Sequence, residues 1–148
     1  MTEKQALAQA AIETISMVCG QELAEGTSYS HKRTSIPNSI AVKLELSGDV
    51  VGYVLIRFSE DSAKRIASIM MMGMPIDELD DMSLSALSEL GNMIMGGATV
   101  HLSEEGLSTD ITTPVLLKGD VDVTNTVSVP LYNDDLRVVL DISVRKER

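Results

Sequence analysis

Aromatic side chains are nearly absent from this chain: one Phe, three Tyr and no Trp occur among 148 residues. With no aromatic platform and no basic stripe, base stacking and backbone binding both lack their usual means. The 12 Lys and Arg are outnumbered by 22 Asp and Glu, and a net charge of -10 repels a phosphate backbone. Nucleic acid is therefore not an expected partner. A single cysteine, Cys19, excludes a disulfide framework and a cysteine-based zinc site, and its apolar helical setting reads as a small buried side chain. His31 and His101 have no neighbour at metal-ligand spacing, and neither H-E-x-x-H nor a nucleophile elbow occurs. No bound metal and no covalent nucleophile are expected. No apolar run approaches the roughly 18 residues of a membrane span. The opening M-T-E-K-Q-A-L-A-Q-A lacks the basic start and apolar core of a secretion signal. A cytoplasmic protein with no membrane partner is the expectation.

What is present suits one globular domain over residues 1–148, since 44% hydrophobic residues in 16.0 kDa are enough to bury a core. Apolar positions Ala8, Ala11, Ile12, Ile15, Val18 and Cys19 recur at helical spacing, predicting a first helix over residues 2–24 that stops by Gly26. Residues 29–36 are weakly patterned and read as a short edge strand ending at Pro37. The alternation of Ile40, Val42, Leu44 and Leu46 with Ala41, Lys43 and Glu45, a Ser47-Gly48-Asp49 turn and a β-branched run over 50–58 predict a hairpin. Ser59 is a candidate N-cap for a helix with Ala63, Ile66, Ala67, Met70 and Met71 inward and Gly73 as its stop. Methionines at such spacing usually fill gaps in a core, which leaves Met72 and Met74 open. Asp77, Glu78, Asp80 and Asp81 lack the spacing of a calcium loop and read as capping acids for the next helix. After that helix Gly106 marks a break, and three strands follow over 110–117, 121–129 and 136–144, with turns at Gly119-Asp120 and Asn133-Asp134. The expected fold is α+β: an antiparallel sheet of about five to six strands with three helices on one face, and a hint of two similar halves.

The central helix carries the chemistry. In S-A-L-S-E-L-G-N-M-I-M-G-G-A-T, residues 85–99, a rotation of about 100° per residue puts Ser85, Glu89, Asn92 and Gly96 on one face. Leu87, Leu90, Ile94 and Ala98 fall opposite, as a core-facing stripe. An acid and a carboxamide on an outward face are ordinary, but Gly96 costs a helix about 1 kcal/mol relative to Ala. It leaves a flat spot where another surface can approach the backbone. Gly97 suits close packing of the helix on its own sheet.

Ser85-x-x-x-Glu89-x-x-Asn92, followed by Pro114, resembles the signature of the CheC, CheX and FliY group of chemotaxis phosphatases. The runs S-A-L-S-E-L-G-N-M-I-M-G-G and D-I-T-T-P-V-L-L-K-G resemble its CheX branch, and element order agrees from first helix to last strand. The resemblance implies a CheC-like fold and a phosphatase for the aspartyl phosphate of a phosphorylated CheY-type response regulator. It implies that Asn92 holds a water in line with phosphorus, that Glu89 pairs with the regulator's lysine, and that Mg2+ is supplied by the regulator. Ser85, Gly96 and Pro114 take supporting and partner-binding roles, and Gly91 helps clear space for the partner's loops. A homodimer joined edge to edge is implied as well.

Two departures from the family pattern stand out. The first helix of two-site members repeats the Glu-x-x-Asn motif, whereas Glu13 is followed here by Ser16, whose hydroxyl cannot replace a carboxamide. No second site is expected. Thr113 replaces a proline before Pro114 and leaves the catalytic pair untouched. Two competing readings remain: a module that docks a response regulator or flagellar switch protein without hydrolysis, and a purely structural protein whose polar helical face does nothing.

Overall fold

The computed structural model describes residues 2–147. Its first helix, α1, spans Glu3–Cys19: Thr2 and Gln5 exchange the reciprocal hydrogen bonds of a capping box at its start, and Gly20 ends it at φ +68°. The helix therefore stops well before Gly26, because Gly20 already supplies the left-handed residue a C-terminus needs. Strands β1 (Ala24–Glu25), β2 (Tyr29–Gly48) and β3 (Val50–Phe58) follow, then α2 (Glu60–Met70) and α3 (Asp81–Glu104), then β4 (Thr109–Ile111), β5 (Val115–Tyr132) and β6 (Arg137–Lys146). Ser59 caps α2 by accepting from the Ser62 N–H at 3.2 Å. The Asn133 side chain closes the β5–β6 turn by accepting from the N–H groups of Asp135 and Leu136.

The six strands form one antiparallel sheet in the order β1-β5-β6-β3-β2-β4, with β2 and β5 also paired to each other. That extra pairing corrects the expected strand boundaries. Pro37 does not end a short edge strand, and Gly119-Asp120 is not a turn between two strands. Instead β2 and β5 run past these points as a long ribbon, Tyr29 opposite Ser128 at one end and Lys43 opposite Val115 at the other. The register shifts between Ile36 and Ser39, and Ser39 lies opposite Gly119, which takes φ +108°. Both turn-like signals thus fall at a single bend of the ribbon. One end of the ribbon hands β2 to β3 and the other hands β5 to β6, while β3 and β6 pair with each other. Each half repeats a helix, a very short strand, a long strand and a third strand, which substantiates the hint of two similar halves.

The three helices lie on one face, where Leu7, Ile15, Ile66, Leu87, Leu90 and Ile94 pack with Val42, Leu44, Val54, Ile56, Val129 and Leu140. The other face is covered by the ribbon, whose Val121 and Val123 pack on Ala41 and Leu55. Tyr53 fastens the ribbon, its hydroxyl donating to the Thr124 carbonyl at 2.9 Å. Beside this second cluster the fully buried Asp141 is held by Arg57 at 2.9 Å and by the Ser128 hydroxyl at 2.6 Å. Cys19 is buried as expected, and burial pushes its thiol pKa up.

Candidate functional site

Helix α3 is placed by its start, its core stripe and one close approach. Asp80 is its N-cap, accepting from the Ser83 N–H at 2.9 Å, and the hydrogen bonds from Ser83 hold the Asp80 carboxyl below its usual range. This agrees with reading the acids before the helix as capping groups. Leu87, Leu90, Ile94, Met95 and Ala98 are buried, so the helix is clamped along its inner side. At Gly91 a Cβ would stand 2.8 Å from Cγ1 of Val42, and at Gly97 one would stand 3.5 Å from the Ala10 Cβ. Gly91 therefore serves packing on the sheet and does not clear space for a partner. Gly97 faces α1 and not the sheet, and a Cβ there would make only an ordinary contact.

The outward side holds the residues singled out by sequence. Ser85, Glu89 and Asn92 are all exposed. They line a shallow groove together with Leu84 and Ser88, and its opposite wall is Thr113, Pro114 and Leu116. Pro114 is held there because the step between β4 and β5 is tied to β2: the Thr112 N–H donates to the Glu45 carbonyl at 3.0 Å, and the Glu45 N–H donates to Oγ1 of Thr112 at 2.9 Å. Gly96 lies beyond the groove along the same helix, and a Cβ there would meet nothing within 4 Å. The structure thus brings Ser85, Glu89, Asn92 and Pro114 together and leaves Gly96 as a bare continuation. Sequence reasoning missed Ser88 and Leu116. Ser88 was within reach, since it precedes Asn92 by one helical turn.

Among the described residues, the Glu89 and Asn92 side chains make no hydrogen bond or ion pair within the chain. The matching positions of α1 are engaged. Glu13 meets His101 at 2.6 Å, and Ser16 donates to Glu22. A free carboxylate and a free carboxamide one turn apart, on a helix anchored along its whole inner face, are poised to bind and orient groups of another molecule. Among the described residues, no group of three or more His, Cys, Asp or Glu side chains is arranged to hold a metal ion. No helix among them is long and apolar enough to cross a membrane.

Comparison with known proteins gives this geometry a family. The family model described as chemotaxis phosphatase CheX matches residues 40–132, a segment that contains the whole groove. The CheY-P phosphatase CheX of Thermotoga maritima is 35% identical over 114 residues, covering 77% of this chain and 74% of that protein. A CheC-like superfamily protein from Shewanella sp. PV-4 shares the fold at a TM-score of 0.87 and 19% identity, covering 98% of this chain and 99% of that one. A chain of the CheX-CheY-BeF3-Mg2+ complex from Borrelia burgdorferi does so at 0.81 and 22%, with coverage of 98% and 99%. This chain belongs to the chemotaxis phosphatase CheX family.

Proposed function

We propose that this chain dephosphorylates a phosphorylated CheY-type response regulator, and that Glu89 and Asn92 on α3 carry the reaction. The observation behind this reading is the pair itself, exposed in one groove and unpartnered among the described residues. The chain is a phosphatase by family, and its 35% identical relative is named for action on CheY-P.

Asn92 can accept a hydrogen bond from a water through its carbonyl oxygen and donate one from its amide to a phosphoryl oxygen. It orients the water in line with phosphorus without having to titrate. The water oxygen bonds to phosphorus, the bond from phosphorus to the regulator's aspartyl oxygen breaks, and the aspartate leaves as a carboxylate with inorganic phosphate as the other product. Phosphoryl transfer depends on positioning and electrostatics, so one orienting residue on a clamped helix is enough to matter. Glu89 pairs with the regulator's lysine and fixes the register of docking. In this reading the Mg2+ that neutralises charge on the phosphoryl group is bound by the regulator.

A homodimer and a cytoplasmic setting are part of the same reading. The sheet's outermost strands, β1 and β4, span only two and three residues, so a second copy would pair along the ribbon margins.

The test is the decay of a phosphorylated CheY-type regulator with wild type and with Asn92→Ala. Wild type accelerates the loss of phosphate, and Asn92→Ala still binds but loses about a hundredfold in rate. If both proteins bind several cognate regulators and neither changes the decay, the chain is a docking module and the catalytic assignment fails.

A further inference from the structure

Helix α3 has an outward side longer than its groove, and that side is unusual in composition. From Met82 to Val100 the only ionisable residue is Glu89, in a chain of which 23% is charged. At about 100° per residue, Met82, Glu89, Gly96 and Val100 fall within a band about 40° wide. Met82 is 65% exposed and Val100 is 58% exposed, while Gly96 between Glu89 and Val100 presents bare backbone. A single exposed Met or Val needs no explanation. Two of them in line with a functional pair, on an exposed face with one charge, need one.

Depletion of charge together with enrichment of methionine is the mark of an interface core and not of a solvated helix. We infer that this stripe is the landing surface for the receiver domain of the phosphorylated regulator, with Met82 and Val100 as apolar anchors at its two ends. The inference rests on the proposed function and deepens it. Met82 and Val100 are about 27 Å apart along the helix axis, close to the breadth of one small domain. A flexible thioether at one end adapts to the partner's surface, and bare Gly96 lets the partner's backbone come close. A second copy of this chain is the poorer occupant, because it would cover Glu89 and Asn92. The division of labour is that the anchors set affinity, whereas Asn92 sets the rate of the bound complex.

The experiment measures decay of the phosphorylated regulator over a range of its concentrations, and binding of the beryllofluoride-loaded regulator. It compares wild type, Met82→Lys, Val100→Lys and the control Met17→Lys, an exposed methionine on α1. Each anchor variant raises KM and Kd about tenfold and leaves kcat within about twofold, since a lysine at an anchor is desolvated on docking; Met17→Lys changes neither. Light scattering keeps the same oligomeric state throughout. If wild type is active and the anchor variants match it, the stripe is refuted while the phosphatase reading stands. A fall in kcat at unchanged KM also overturns it, as does conversion of a dimer to monomers by an anchor variant. If wild type binds without hydrolysing, the phosphatase reading fails; weaker binding by the anchor variants then still supports the stripe, and unchanged binding refutes it. A wild type that binds no regulator refutes both.

Discussion

The Glu13 carboxylate on α1 lies 2.6 Å from Nε2 of His101 on α3, so the helix face that would carry a second Glu-x-x-Asn pair is closed by an interhelical contact. Ser16 is engaged as well, donating to Glu22. Of two comparable helices in two similar halves, only α3 presents an acid and a polar partner that are not engaged by side chains among the described residues. The hydrogen bond to His101 is the main cause that holds the Glu13 carboxyl below the usual range, against a smaller upward push from desolvation. A carboxyl depressed in the folded state stabilises above its ordinary pKa, and that contribution is lost as pH falls through the folded value. Glu13→Gln therefore lowers stability at neutral pH by less than about 1 kcal/mol, because the pair is exposed and screened. The difference between the two proteins narrows only as pH falls below the ordinary glutamate range, through the depressed folded value. Denaturant midpoints across that range check this.

Two glycines of one helix should respond in opposite ways. Gly91→Ala forces a Cβ to within 2.8 Å of Val42, whose β-branched side chain has little room to turn, and costs about 1–3 kcal/mol. Gly96→Ala meets nothing and gains about 0.5–1 kcal/mol of helix propensity. If Gly96 serves close approach, the more stable Gly96→Ala binds the regulator less well. Thermal melts paired with binding measurements separate the two effects.

The helices and their faces were legible because their signals are local. Helical spacing alone put Leu87, Leu90, Ile94 and Ala98 inward and Ser85, Glu89 and Asn92 outward, and the structure places them so. The same spacing turns Gly91 toward the core, so its packing role was readable and was passed over. The ribbon was not legible. Pro37-Asn38 and Gly119-Asp120 carry turn chemistry, and only the non-local pairing of Ser39 with Gly119 shows them to be one bend. Leu116 joins the groove by the same kind of contact, since neither its strand nor α3 alone places it beside Asn92. Pro114 was reached by resemblance to the family and not by pattern.

Asp141 on β6 should be the costliest charge to remove. It is fully buried, accepts from Arg57 at 2.9 and 3.2 Å and from Ser128 at 2.6 Å, and joins β6 to β3 and β5 on the sheet face away from the helices. Asp141→Ala strands a largely buried guanidinium and a buried hydroxyl, and its expected cost is about 3–5 kcal/mol. The groove lies on the other side of the sheet, so the folded fraction should keep the regulator-binding affinity of wild type. Urea unfolding together with binding at a temperature where the variant is still folded checks both halves of the expectation.

Glu89 and Asn92 sit one turn apart, yet salt should tell them apart. In the proposed reading Glu89 acts as a charge opposite the regulator's lysine, so its contribution to docking should weaken as ionic strength rises and the Debye length falls from about 10 Å at 0.1 M to about 3 Å at 1 M. In the same reading the uncharged Asn92 acts on a water inside the complex, where screening has little reach. Glu89→Gln keeps the shape and loses the charge, which raises KM at low salt, flattens its dependence on salt and changes kcat less. Asn92→Ala lowers kcat at every salt concentration and leaves the salt dependence of KM as in wild type. Phosphate release at several regulator and salt concentrations yields both slopes. An unchanged KM slope in Glu89→Gln would take the lysine-pairing role away from Glu89, and an intact kcat in Asn92→Ala would take the water-orienting role away from Asn92.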